Sequence, residues 1–97
     1  MLDTLRAEDF EALSGLPLTL AAGTLQMPVE IGEVRRLKSP SPRGAQPFAV
    51  VFRHRDARGS APQGVYRLEA PERGPVELFV VPIGPDGKGM CYEAVFN

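Results

Sequence analysis

The sequence has little of the material from which catalytic and metal sites are built. It contains a single cysteine, Cys91, and a single histidine, His54. One cysteine excludes an intramolecular disulfide and a cysteine-rich zinc cluster, and a lone histidine needs several suitably spaced partners to hold zinc. We therefore predict no catalytic residue, no cofactor-binding residue and no metal ligand. The alternative is a Cys91–His54 nucleophile pair brought together by the fold, although a cysteine in the middle of a strand favours a structural role.

Long hydrophobic runs and an excess of charge of one sign are also missing. No apolar run approaches the roughly eighteen residues that a membrane-spanning helix needs. The first ten residues carry four charges and no apolar stretch of signal-peptide length, so we expect cytoplasmic synthesis. The net charge is −1, which gives the chain as a whole no general affinity for polyanions.

Turn-forming residues are what the sequence has in excess. It holds 10 glycines and 10 prolines in 97 residues, without a regular spacing between them. This composition indicates many turns joining short strands, and the length allows one domain, residues 1–97. The hydrophobic fraction of 43% is that of a globular protein and argues against disorder.

The first fifteen residues have helical periodicity. Apolar residues recur at roughly helical spacing at Leu2, Leu5, Phe10 and Leu13. Gly15 followed by Pro17 is a typical stop signal. The pattern predicts a helix of roughly two to three turns within residues 1–15, with Thr4 as a candidate N-terminal cap, that needs to pack on a sheet.

From Leu18 the period changes to two. Six segments alternate in this way or are apolar on both faces: 18–20, 25–31, 48–52, 65–70, 76–83 and 90–96. The alternation breaks at Gly32–Glu33, which predicts a β-bulge, and Pro28 predicts that one side of its strand lacks a partner.

These patterns predict a mainly β fold, α+β at the margin. One short N-terminal helix is followed by about six antiparallel strands in a small barrel or a two-layer sandwich. Because sequential strands usually pair, we expect an antiparallel meander over residues 16–97, with the helix plugging an open end or covering an edge. If residues 93–97 form an edge strand, they offer a backbone ladder to a partner.

Basic residues are concentrated in the middle of the chain. Seven lie between Val34 and Arg58 against the single acid Asp56, a local balance of +6. They are Arg35, Arg36, Lys38, Arg43, Arg53, Arg55 and Arg58. We predict that they bind an acidic partner in two patches at opposite ends of the flanking strands. The alternative is a set of surface charges that pair with nearby glutamates. Nucleic acid is disfavoured because aromatic residues are not interleaved with them.

Several segments carry a family resemblance. They are Leu2 with Glu8-Asp9-Phe10, Gln63-Gly64, Tyr66-Arg67-Leu68-Glu69, Pro82-Ile83-Gly84-Pro85-Asp86-Gly87, Gly89-Met90 and Tyr92-Glu93-Ala94-Val95-Phe96-Asn97. Together they resemble a family of small bacterial domains of unknown function, whose genes often lie near those for phage-tail-collar-like fibre proteins. The resemblance spans nearly the whole chain. It departs at Arg6, where a small hydroxyl residue is expected, and in the loop over residues 38–47.

The resemblance implies a mostly β fold and work alongside an extracellular or tail-like fibre, and it supplies no catalytic residues. With the lack of a reactive cluster, it leads us to predict a non-enzymatic accessory or assembly domain that binds another protein through a sheet edge or a charged loop surface. The expected partner is a tail-collar-like fibre protein, with a homo-oligomer as a further option. Export within such an assembly is then the alternative to a cytoplasmic location. The alternative function is a small β-barrel that binds an anionic ligand or nucleic acid through its basic residues.

Overall fold

The computed structural model describes residues 5–38 and 46–97, which form one short helix and six strands. The helix α1 is Ala7–Glu11, and the strands are β1 Leu18–Ala22, β2 Leu25–Arg36, β3 Phe48–Arg55, β4 Gly64–Ala70, β5 Arg73–Pro85 and β6 Gly89–Phe96. All neighbouring strands are antiparallel, and their order β1-β2-β3-β6-β5-β4 closes on itself through pairing of β1 with β4. The mainly β prediction is confirmed, and of its two architectures the chain forms the barrel.

The strand order departs from the predicted meander at one connection. β3 pairs with β6 rather than with β4, and β4 instead pairs with β1. The segment between β3 and β4 makes this crossing, and two tyrosines hold it. The backbone N–H of Ala61 donates to the Tyr92 hydroxyl at 2.8 Å, and the Tyr66 hydroxyl donates to the carbonyl of Pro62 at 2.6 Å. The result is a Greek-key arrangement of β3 to β6.

The crossing also gives the terminal strand two neighbours. β6 pairs with β3 along its whole length and with β5 over residues 90–93. Barrel closure places β6 between β3 and β5, so the strand as a whole is not an edge. Of its last residues only Glu93 pairs with β5, and residues 94–96 pair with β3 alone, so the predicted backbone ladder over residues 93–97 stays a prediction.

Two long strands allow the sheet to close. β2 has 12 residues and β5 has 13, and each pairs with a different neighbour along each of its halves. The β2–β3 register shifts between Ile31 and Glu33, which confirms the predicted bulge at Gly32. Pro28 lies in the half of β2 that pairs only with β1, so its missing N–H removes no hydrogen bond on the other side.

The inward rows of the strands meet in one apolar core. Leu20, Val50, Phe52, Val80 and Tyr92 have no solvent exposure. No polar or charged side chain is buried within the described residues. The buried tyrosines keep hydrogen bonds at their polar tips through the β3–β4 segment, which removes the main cost of placing them in a core.

The helix is shorter than predicted. It spans five residues, and Arg6 precedes it as the cap, with the carboxylate of Asp9 accepting the Arg6 N–H at 2.8 Å. Turns lead from Ala12 to Gly15, which has a φ of +83° and so needs the conformational freedom of glycine. Thr4, the predicted cap, lies outside the described residues.

α1 plugs the end of the barrel where β2 and β6 finish and β3 begins. The Phe10 ring is buried, with its centroid 5.2 Å from that of Phe96, 5.8 Å from Phe48 and 6.5 Å from Phe52. Arg36, the last residue of β2, donates to Glu11 at 2.6 and 3.1 Å. This exposed ion pair adds little to stability, so the buried ring holds the plug.

Phe10→Ala should lower the free energy of unfolding by about 3–5 kcal/mol, because it leaves a cavity among three other rings. Urea unfolding followed by circular dichroism would measure the loss. Leu16→Ala is the control, since this side chain is 38% exposed, and it should cost less than ~1 kcal/mol. Equal losses in the two variants would contradict the role of Phe10.

Candidate functional site

The outer face of β2, β3 and β6 carries paired charges above an apolar row. Ala49 and Val51 point outward from β3, yet only 1% and 7% of their surface is exposed. Arg35 on β2 lies beside Ala49 and donates to Glu93 on β6 at 2.8 Å and to Glu33 at 3.4 Å. The stems of these long side chains span the strand between them and cover its apolar row.

A second ion-pair network lies further along β3. Arg53 donates from Nη1 to Glu30 Oε2 and from Nε to Asp86 Oδ2, both at 2.7 Å, and Arg55 Nε lies 2.8 Å from the same Glu30 oxygen. Hydrogen bonds from Arg55 and then Arg53 lower the pKa of Glu30. The pKa of Asp86 lies far below its ordinary value because the Lys88 backbone N–H and Arg53 both donate to the carboxylate.

The predicted basic residues are therefore brought together only in part. Arg35 and Arg36 do not cluster, because successive residues of a strand alternate between faces, and Arg36 turns to the helix. Arg53 and Arg55 share a carboxylate. Lys38 and Arg58 are exposed and form no ion pair with a described residue. The remaining member, Arg43, lies outside the described residues.

The outer face of β4, β5 and β6 is different, because its apolar row is exposed. Val65 of β4 and Phe79 of β5 are cross-strand partners, 59% and 53% exposed. Val95 lies on the outward side of β6, two residues beyond Glu93, which is the last β6 residue that pairs with β5. Val95 and Ile83, which lies at a register shift of β5, are also half exposed. We call Val65, Phe79, Ile83 and Val95 the apolar face.

Sequence reasoning missed this face, although a signal for it was present. Residues 78–81 are four consecutive apolar residues, so both sides of this strand are apolar. In the barrel the inward Leu78 and Val80 are buried, while the outward Phe79 and Ile83 face solvent. Apolar residues at the outward positions of a strand in a closed barrel are thus the signal that could have revealed the apolar face.

Cys91 and His54 do not form a nucleophile pair. The β3–β6 register sets Arg53 opposite Cys91 and Met90 opposite His54, so the two side chains belong to opposite faces of the sheet. Burial raises the pKa of the Cys91 thiol, and Asp86 adds to the shift. A buried thiol with a raised pKa contains little of the reactive thiolate.

His54 instead lines an open groove of about 410 Å³ with Arg53 and Arg55. The other walls are residues 15–18, between α1 and β1, and residues 28–30 of β2. Glu30 binds both arginines, so the charges of the groove are largely paired. Among residues 5–38 and 46–97, no three His, Cys, Asp or Glu side chains converge to hold a metal, and no helix has the length and hydrophobicity to cross a membrane.

A closed six-stranded antiparallel barrel with a helical plug defines the protein as a small, mainly β domain. Its residues 5–96 match the family described as a domain of unknown function, DUF6916, and the chain belongs to that family. The match takes in α1 and all six strands, so membership applies to the whole fold. No curated protein and no solved structure matched the chain.

Stability should fall as the pH drops below 3.8, the ordinary pKa of the Asp86 carboxyl. Folding lowers this pKa, so the stability that Asp86 contributes is present above 3.8 and is lost as the pH falls toward the folded-state value. Asp86→Asn should lower the free energy of unfolding at neutral pH. It should also reduce the loss of that free energy as the pH falls below 3.8. Urea unfolding across the acid range tests this, with the exposed Glu72→Gln as control. A variant profile parallel to the native one would contradict it.

Cys91 should resist thiol labelling until the protein unfolds, because its sulfur is buried and held as the thiol. Labelling with a maleimide across the neutral and alkaline range, with and without urea, measures this. Rapid labelling of the folded protein near neutral pH would instead indicate an activated thiolate and revive the enzyme hypothesis.

Proposed function

We propose that this barrel is a non-enzymatic assembly domain that binds another protein through the apolar face. The observation that carries the proposal is the exposed cross-strand pair of Val65 and Phe79, with Ile83 and Val95 also half exposed on the outer side of β5 and β6. Single apolar residues are ordinary on protein surfaces, but a contiguous apolar patch is typical of an interaction site. Half of the surface of four such side chains amounts to about 300 Å², within the range of functional patches on monomers.

The two outer faces of the barrel provide an internal comparison. On β3 the outward Ala49 and Val51 are covered by Arg35 and its carboxylate partners. On β5 the larger Phe79 remains half exposed. Burial of apolar surface is favourable by about 25 cal/mol per Å². Contact with a partner would bury the apolar surface on β5, as the ion-paired side chains already bury it on β3.

Barrel closure favours contact through side chains over strand addition. β6 lies between β3 and β5, and only residues 94–96 at its end lack a partner on the β5 side, which is a short ladder for an added strand. Side chains on the outer face would instead meet a partner surface, as when two sheets pack face to face.

The basic residues support an anionic ligand or nucleic acid less well. Arg35, Arg36, Arg53 and Arg55 already bind carboxylates, which an incoming anion would have to displace. That the basic residues bind a partner stays a prediction. The family resemblance suggests one candidate partner for the domain, a tail-collar-like fibre protein encoded nearby.

Phe79→Glu should abolish assembly and leave the fold intact, because a charge on an exposed outward position blocks only an apolar contact. Sedimentation of the domain alone and with the neighbouring fibre protein measures assembly. Leu16→Glu is the matched control, since it places the same charge on an exposed leucine in the groove between α1, β2 and β3. If the native domain stays monomeric and ignores the fibre protein at micromolar concentrations, the proposal fails.

A further inference from the structure

We propose that the protein seated on the apolar face is a second copy of this chain. The inference rests on the proposed function and names the partner for the same face. The two copies would pack face to face about a twofold axis. This axis would lie in the interface, parallel to β4 and β5 and above the line midway between these two strands. Such a contact is isologous, so each pair of touching residues occurs twice.

The charged residues beside the face point to this partner. Arg67 and Glu77 are cross-strand partners on the same outward side as Val65 and Phe79. Arg67 nevertheless donates from Nε to Glu69 at 2.7 Å, and Glu77 is exposed and forms no ion pair with a described residue. Within the described part of the chain, the Glu77 carboxylate beside the apolar face therefore has no cationic partner. The Nη groups of the neighbouring Arg67 bind no carboxylate there.

A twofold axis between β4 and β5 would supply the missing pairs. It lays β4 of one copy over β5 of the other, so that Val65 of each copy meets Phe79 of the other. One row further along, Arg67 of each copy meets Glu77 of the other. The planar fork of Arg67 can bind Glu77 through its Nη groups while Nε keeps Glu69.

The pairing of charges favours a copy of the same chain over an unrelated surface. Arg67 and Glu77 place both signs side by side, so a uniformly acidic or uniformly basic partner would meet one like charge. An identical face presents each sign opposite its complement. Because a closed barrel is convex, the contact extends over few strands, and we expect about 1,200 Å² of total buried surface and a dissociation constant of about 1–100 µM.

Sedimentation equilibrium of the full chain over about 1–300 µM tests the inference. The native chain should show a monomer–dimer equilibrium, Phe79→Glu should be monomeric, and Leu16→Glu should match the native chain. Glu77→Arg and Arg67→Glu should each weaken the dimer by about tenfold or more, because each sets like charges opposite one another twice.

The decisive arm is an equimolar mixture of Glu77→Arg and Arg67→Glu. Within a mixed pair every contact at these positions joins a cation to an anion, so the mixture should recover the dimer that each variant alone has lost. A mixture that associates no better than its components overturns the inference. Thermal unfolding of each variant identifies any that fail to fold. If Arg67→Glu fails to fold, the comparison of dimer formation by Phe79→Glu with that by Leu16→Glu decides whether the inference holds.

A native chain that is monomeric at about 300 µM also overturns the second copy. If that monomer still binds the fibre protein, and Phe79→Glu abolishes the binding, the proposed function stands with a different partner. If the chain binds neither a second copy of itself nor the fibre protein, both this inference and the proposed function fail.

Discussion

The short ladder between β1 and β4 closes the sheet into a barrel. Three residue pairs, Thr19 with Glu69, Leu20 with Leu68 and Ala21 with Arg67, join the two ends of the sheet. With this ladder in place, each strand has two neighbours and the inward rows converge on one core. Without it, β1 and β4 would expose rows of unpaired N–H and C=O groups to other chains. Closure therefore pairs most of the strand backbone within the barrel.

The outward side chains divide the barrel surface into a charged region and an apolar region. On β2, β3 and β6, long charged side chains pair across the strands, cover Ala49 and Val51, and shield Cys91 beside Asp86 and Arg53. Most of the charged side chains on this surface are thus engaged in ion pairs. On β4, β5 and β6 the outward row is apolar and uncovered at Val65, Phe79 and Val95. Family membership describes the whole barrel, and this second surface is where a function in assembly finds its physical support.

Period-two alternation was enough to predict six strands, and a break in that alternation placed the bulge at Gly32, because a bulge depends on neighbouring residues. The pairing of β3 with β6 was not predictable, since alternation does not say which strand lies beside which. The arginine networks were hidden for the same reason, as Arg35 and Glu93 are 58 residues apart and Arg53 and Asp86 are 33 apart. The apolar face was missed because a strand that is apolar on both sides has the same sequence pattern whether or not its outer side is covered.

The proposed binding surface is the outer face of β4, β5 and β6. Methyl-resolved NMR of the full chain, diluted from high concentration and then titrated with a tail-collar-like fibre protein as the candidate partner, would show which surface makes contact. We expect chemical-shift changes confined to Val65, Ile83, Val95 and the half-buried Val81, while the core methyls of Leu20 and Val50 stay fixed. Changes centred instead on Leu16 and Val29 in the groove, or no change at any concentration, would contradict this proposal.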